Sequence, residues 1–158
     1  MIEPLEPDDG WALALNNAHA VELSWLEPGR FAELVARAFL ACRVPDAAFL
    51  LAFDQDARYD SPNFLWFRAR YPRFVYVDRV VVAPEARGRG HARRLYAALF
   101  DRARRTGHDG VVCEVNIEPP NPASDAFHRT MRFAAVGRAD LPGGKSVRYL
   151  RRALSGDP

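Results

Sequence analysis

Strand and helix patterns alternate along this 158-residue chain, which predicts an α/β sandwich around a mixed sheet. Three observations carry that expectation. Phe74 to Val82 is β-branched or aromatic almost throughout, as a strand covered on both faces should be. From Ala92 the apolar residues fall at Ala92, Leu95, Tyr96, Leu99, Phe100 and Ala103, a single helical stripe. Between the two, Pro84 ends the strand ladder for want of an N–H, and Arg87-Gly88-Arg89-Gly90-His91-Ala92 makes a sharp turn.

The remaining elements follow in order. The first ten residues are polar and lead into an expected short strand at Trp11 to Leu15. Asn16 and Asn17 then stand where they can cap a helix over about Ala18 to Leu26. Along that segment Asn16, Asn17, His19 and Glu22 form either a cap and solvated face or one wall of a binding pocket. Pro28-Gly29 breaks the chain, and Phe31, Leu34, Val35 and Ala38 mark a second helix. Phe39 to Val44 and Ala47 to Phe53 read as strands joined by a turn at Pro45-Asp46. A polar loop covers Asp54 to Asn63, and the aromatic stretch Phe64 to Tyr71 suits a short helix or an edge strand.

Beyond the helix that starts near Ala92, Gly107 is a C-terminal stop. A strand over Gly110 to Ile117, a proline-rich loop from Glu118 to Pro122 and a helix over about Ala123 to Met131 come next. Strands at Phe133 to Ala139 and Val147 to Arg152 close the chain around Pro142-Gly143-Gly144. Residues 1–158 are expected to form one domain with a frayed tail at 155–158.

Composition excludes several functions. The net charge is only +2, and acids accompany Arg93, Arg94, Arg102, Arg104 and Arg105, so nucleic acid is not the expected partner. Lys145 is the only lysine, a poor Schiff-base candidate in a Gly-Gly-Lys loop. Cys42 and Cys113 form no Cys-x-x-Cys pair, and no metal-ligand cluster appears. The acidic start MIEPLEPDDGW lacks the regions of a signal peptide, and no apolar run reaches membrane-spanning length. A cytoplasmic, reduced protein without a membrane partner is expected.

The glycine turn before the helix is a candidate anion site. Small residues admit a ligand to the backbone, and the first helical N–H groups lack intrahelical partners. A P-loop would need Gly-Lys-Ser/Thr where His91-Ala92 follows Gly90, and a dinucleotide fingerprint would need glycine at Arg93. The turn instead resembles the pyrophosphate loop of the GNAT acetyltransferase superfamily, Gln/Arg-x-x-Gly-x-Gly/Ala, matched by Arg87, Gly90 and Ala92. Val80-x-Val82-x-Pro84 resembles that family's approach to the loop.

The resemblance is strongest from about Phe74 to Phe133. It implies a mixed, mainly antiparallel sheet with helices on both faces, and acetyl-CoA as co-substrate where the fourth and fifth strands splay. The donor would meet Val80, Val81, Val82, the turn Arg87, Gly88, Arg89, Gly90, His91 and Ala92, and then Asn121, Ser124 and Phe127. The implied reaction is acetyl transfer to a primary amine of a small molecule or peptide. Homodimers are frequent in such folds, and no feature of this sequence settles the matter.

The family's Asn-x-x-Ala-x-x-Leu-Tyr-x-x-x-Gly-Phe segment appears here as Asn121 to Phe133, with two departures. His128 stands where a tyrosine commonly protonates the leaving thiolate, and Arg132 where a glycine precedes the phenylalanine. His128 is therefore either an acid, with Asp125 three residues earlier favouring the imidazolium, or a packing residue. Glu114 and Asp78 interrupt apolar strands and are alternative bases, since burial raises a carboxyl's pKa. Arg79 is expected on the opposite strand face from Asp78, out of its reach. Cys113 is expected to be an inert thiol, and His91 and His108 surface residues. The competing function is a coenzyme A sensor of the same fold with catalysis lost.

Overall fold

A computed structural model describes residues 1–154; the tail expected at 155–158 lies outside the described residues. Seven strands form one sheet in the order β1-β2-β3-β4-β5-β7-β6. They are β1 (Glu3–Pro4), β2 (Leu40–Val44), β3 (Ala48–Asp54), β4 (Val75–Val82), β5 (Gly110–Glu118), β6 (Ala134–Leu141) and β7 (Lys145–Ala153). Every neighbouring pair is antiparallel except β4–β5. The helices are α1 (Gly10–Ala18), α2 (Ala20–Leu23), α3 (Pro28–Arg37), α4 (Pro62–Arg68), α5 (His91–Arg105) and α6 (Pro122–Thr130).

Side-chain alternation along the strands assigns the helices to faces. Phe49 and Phe53 of β3 share a face, where Phe31 of α3 and Tyr59 ahead of α4 meet them. On the other face the stripe predicted for α5 is buried at Leu95, Tyr96, Leu99, Phe100 and Ala103. Phe133 and His128, at the end of α6, pack on Tyr96 and Phe100 from that side. Gly107 does end α5, at a φ of 78°.

Trp11 to Leu15 is helical, contrary to the expected strand. The alternation of Trp-Ala-Leu-Ala-Leu resembles a strand pattern, but alanine and leucine are strong helix formers and Asp9 caps the segment by accepting from the Ala12 N–H at 3.0 Å. Asn16 and Asn17 therefore lie inside α1 rather than capping a following helix, and α2 is a single turn. Phe64 to Arg68 resolves as helix, with Phe64 and Phe67 buried. His108 is also buried, not a surface residue: its Nε2 lies 3.3 Å from Asp54 and its ring packs on Phe39, tying the end of α5 to the far half of the sheet.

Arg132, which replaces the family's usual glycine, adopts a φ of 68°. The tight return from α6 into β6 demands that left-handed backbone, which costs an ordinary residue roughly 1–2 kcal/mol. Arg132→Gly should therefore raise stability by about 1 kcal/mol, read as a higher urea midpoint at unchanged slope. A lower midpoint would show that the arginine side chain compensates for its backbone.

Candidate active site

β4 and β5 pair only at Val75↔Val111 and Tyr76↔Val112, although both strands continue for several residues. Beyond Tyr76 they diverge and open a cleft through the sheet. The β4 edge that faces the cleft carries backbone groups released from the ladder. Two cavities meet there.

The first, of about 560 Å³, runs past Val80, Val81, Val82, Arg87, Gly88, Ala92, Asn121, Ser124 and Phe127. A smaller hollow at Gly90 and His91 continues it, sharing Val82, Arg87, Gly88, Ala92 and Phe127. Of the residues predicted to meet the donor, only Arg89 lines neither. Its carbonyl accepts from Arg94 at 3.0 Å, which pulls that peptide toward α5. Gly88 and Gly90 both take a φ of 79°, and Gly90 caps α5 without a side-chain bond, so the turn presents backbone N–H groups at a helix N-terminus. Arg94 also donates to His91 Nδ1 at 2.6 Å, and desolvation together with the Arg94 charge lowers the pKa of that imidazole.

The second cavity, of about 240 Å³, is polar and contains Asp78, Glu114 and His128, the three residues predicted to be catalytic. It is reached from both sheet faces. Cys113 and Glu114 are consecutive and so point in opposite directions. Cys113 lies with Tyr96 on the α5 side, whereas Glu114 accepts a 2.8 Å bond from the Tyr76 hydroxyl on the α4 side. Leu23, Val80, Ser124 and His128 line both cavities and mark their junction.

Asp78 and Arg79 correct the expectation that they cannot pair. The register against β3 jumps from Leu51↔Arg79 to Ala52↔Val77, leaving Asp78 as an extra, bulged residue. A bulge breaks strict alternation, and Arg79 Nε donates to Asp78 at 2.7 Å. The Tyr59 hydroxyl donates to the other Asp78 oxygen at 2.6 Å, and Arg79 reaches Asn16 at 2.8 Å. Asn16 is fully buried and also bonds the Ser24 carbonyl, so it is a strut and not part of a solvated face. His19 lines the larger cavity.

Glu114 differs in its surroundings. Burial lifts its carboxyl to about 7, against the lowering effect of the Tyr76 hydrogen bond and with a further push from Asp78. His128 is bonded at both ring nitrogens. Nδ1 donates to the Ser124 carbonyl at 2.8 Å, since that oxygen can only accept, and Nε2 accepts from the Tyr96 hydroxyl at 2.7 Å. Burial pushes its pKa down and outweighs Asp125, whose carboxylate pairs with Arg148 at 2.9 Å. Of the two sequence readings of His128, the imidazolium acid is thus disfavoured. Cys113 is buried with its thiol pushed up, in keeping with an inert role.

Tyr59, Tyr76 and Tyr96 complete the site and were not singled out from sequence. Tyr76 could have been found, because it lies two residues before Asp78 on the same strand.

The chain matches the model of the acetyltransferase (GNAT) family over residues 25–133. It belongs to that family. This GNAT member is similar to an L-2,4-diaminobutyric acid acetyltransferase of Nocardia farcinica, with 40% identity over 73 residues, 46% of this chain and 34% of that protein. It is similar also to an N-acetyltransferase of Streptomyces griseus, with 34% identity over 91 residues, 58% of this chain and 45% of that protein. The chain thus spans less than half the length of both curated relatives. Among solved structures, Naa20 of Chaetomium thermophilum, in complex with a bisubstrate analogue, shares the fold with a TM-score of 0.76 at 20% identity, covering 97% of this chain and 86% of that one.

The carboxyl of Glu114 should titrate near pH 7 by carbon NMR. Tyr76→Phe removes a bond that favours the charged form, so its midpoint should rise further. A midpoint near 4.5 in the folded wild type would contradict the burial argument.

Proposed function

We propose that this chain transfers an acetyl group from acetyl-CoA to a primary amine by direct attack. The observation that carries the reading is the junction at Leu23, Val80, Ser124 and His128, where the groove from the glycine turn opens into a polar cavity holding Glu114. The turn from Arg87 to Ala92 would hold the pyrophosphate on its N–H groups. Val80 to Val82, Asn121, Ser124 and Phe127 would line the pantetheine, and the open β4 edge would bond its amides as an added strand does.

The amine enters from the polar side. Glu114, ionised above about pH 7, takes a proton from it directly or through one water. The nitrogen then bonds to the thioester carbon, whose oxygen gathers negative charge against backbone N–H groups of β4 near Val82. Breaking the carbon–sulfur bond releases a thiolate. Its proton comes from the Tyr96 hydroxyl held by His128 or from water, because the neutral His128 has its own N–H engaged by Ser124. Asp78, neutralised by Arg79 and bonded by Tyr59, supports the bulge and is not the base.

That engagement of His128 also favours a second reading, a coenzyme A sensor of the same fold with little turnover. Assay of an amine panel with acetyl-CoA separates the two. Acetyl-CoA should bind calorimetrically, and Gly90→Val should lose that binding because a β-branched residue strains at a φ of 79°. Glu114→Gln should lower kcat by roughly 10²–10⁴-fold and abolish an acidic limb centred near pH 7. Full turnover in that variant refutes the base, turnover of no amine favours the sensor, and no acetyl-CoA binding by folded wild type refutes both.

A further inference from the structure

The acceptor cavity carries a cation that the chemistry above does not use. Lys145 opens β7 directly after the turn with Gly143 and Gly144 at φ 85° and 81°, and it lines the same polar cavity as Glu114. None of the ion pairs among the described residues includes it. The nearest carboxylate on its hairpin, Asp140, accepts from Ser146 at 2.8 Å and pairs with Arg138. The other cation on the cavity wall, Arg79, is spent on Asp78. Among the described residues Lys145 therefore has no ion-pair partner, although Glu118 stands across from its neighbour Ser146.

Sheet register relates that charge to the base. Tyr149 pairs with Glu114 and Val147 with Asn116, so Lys145, Val147 and Tyr149 follow the face that Glu114 and Asn116 present. Lys145 and Tyr149 are four residues apart, on the order of 13 Å along the strand. Lys145, Asn116 and Glu114 line one cavity, and the four-carbon stem of a lysine shortens the gap a bound molecule must span. A small amine with its own anionic group spans such a gap, its nitrogen at Glu114 and its anion at Lys145. One ammonium matches a monoanion, and a lysine is a mobile point charge suited to a carboxylate at the end of a short chain.

We propose that Lys145 is the acceptor-anchoring residue of this site, and that the acceptor is a small amino acid whose reacting amine lies a few bonds from its free carboxylate. This rests on the acetyl-transfer reading of the same cavity. The test uses acetyl-CoA with ω-amino acids from glycine to 6-aminohexanoate, each beside its carboxamide. Acids should exceed their amides at least tenfold in kcat/KM at one preferred length. Lys145→Ala should erase that preference through KM for the acid, with kcat on the amides and KM for acetyl-CoA unchanged, and Lys145→Arg should restore part of it. Equal use of acids and amides, or a preference that survives Lys145→Ala, overturns the anchor. Acetylation of amides alone overturns it too while leaving acetyl transfer intact, whereas loss of acetyl-CoA binding in wild type removes the underlying reading.

Discussion

Everything at the site depends on the parallel ladder between β4 and β5 stopping after two residue pairs. Backbone donors and acceptors cannot be left buried without partners, so two strands that part inside a sheet must face solvent or a ligand with matching groups. An extended chain bearing amides answers that need on the donor side. On the other side, the same parting lets a cavity pass through the sheet and collect side chains from both faces. Tyr96 and His128 reach it from beneath α5 and α6, and Tyr76 and Glu114 from beneath α4.

The two carboxylates of the cavity show how surroundings separate residues of the same chemistry. Asp78 receives a guanidinium and a phenol and sits in a bonded chain that runs through Arg79 to Asn16. Glu114 receives one phenol and deep burial, and its proton affinity rises to the middle of the physiological range. Burial acts oppositely on His128, whose charged form it disfavours, and on Glu114, which it brings to a change of charge near neutral pH.

Much of this was legible in the sequence between Phe74 and Phe133. Strand, turn and helix patterns there are long and mutually consistent, and the residues of the glycine turn carry their conformational demand with them. Fold class follows from such local signals, as does the grouping of the glycine-turn residues along one groove. What escaped was set by distant partners. Asn16 and Arg79 are 63 positions apart, and nothing near either one announces their bond. The bulge at Asp78 exists only in register with β3, so alternation along β4 alone placed Arg79 on the wrong face. Trp11 to Leu15 misled because an alternating pattern of helix-forming residues fits both periods, and Asp9 decided between them.

Gly137 stands behind the polar cavity without lining it. It sits opposite Tyr149, and a Cβ there would stand 2.5 Å from the Trp66 indole, which stacks on Tyr149 at 4.2 Å between centroids. Tyr149 in turn donates to Asn63 on the cavity wall. Hairpin β6–β7 and helix α4 are thereby keyed together through one missing methyl group. On the acetyl-transfer proposal they form a cassette for the acceptor, while the glycine turn and α5 serve the donor. Shape changes in the cassette would alter which amines fit without disturbing how the donor is gripped, so one catalytic frame could serve a succession of acceptors.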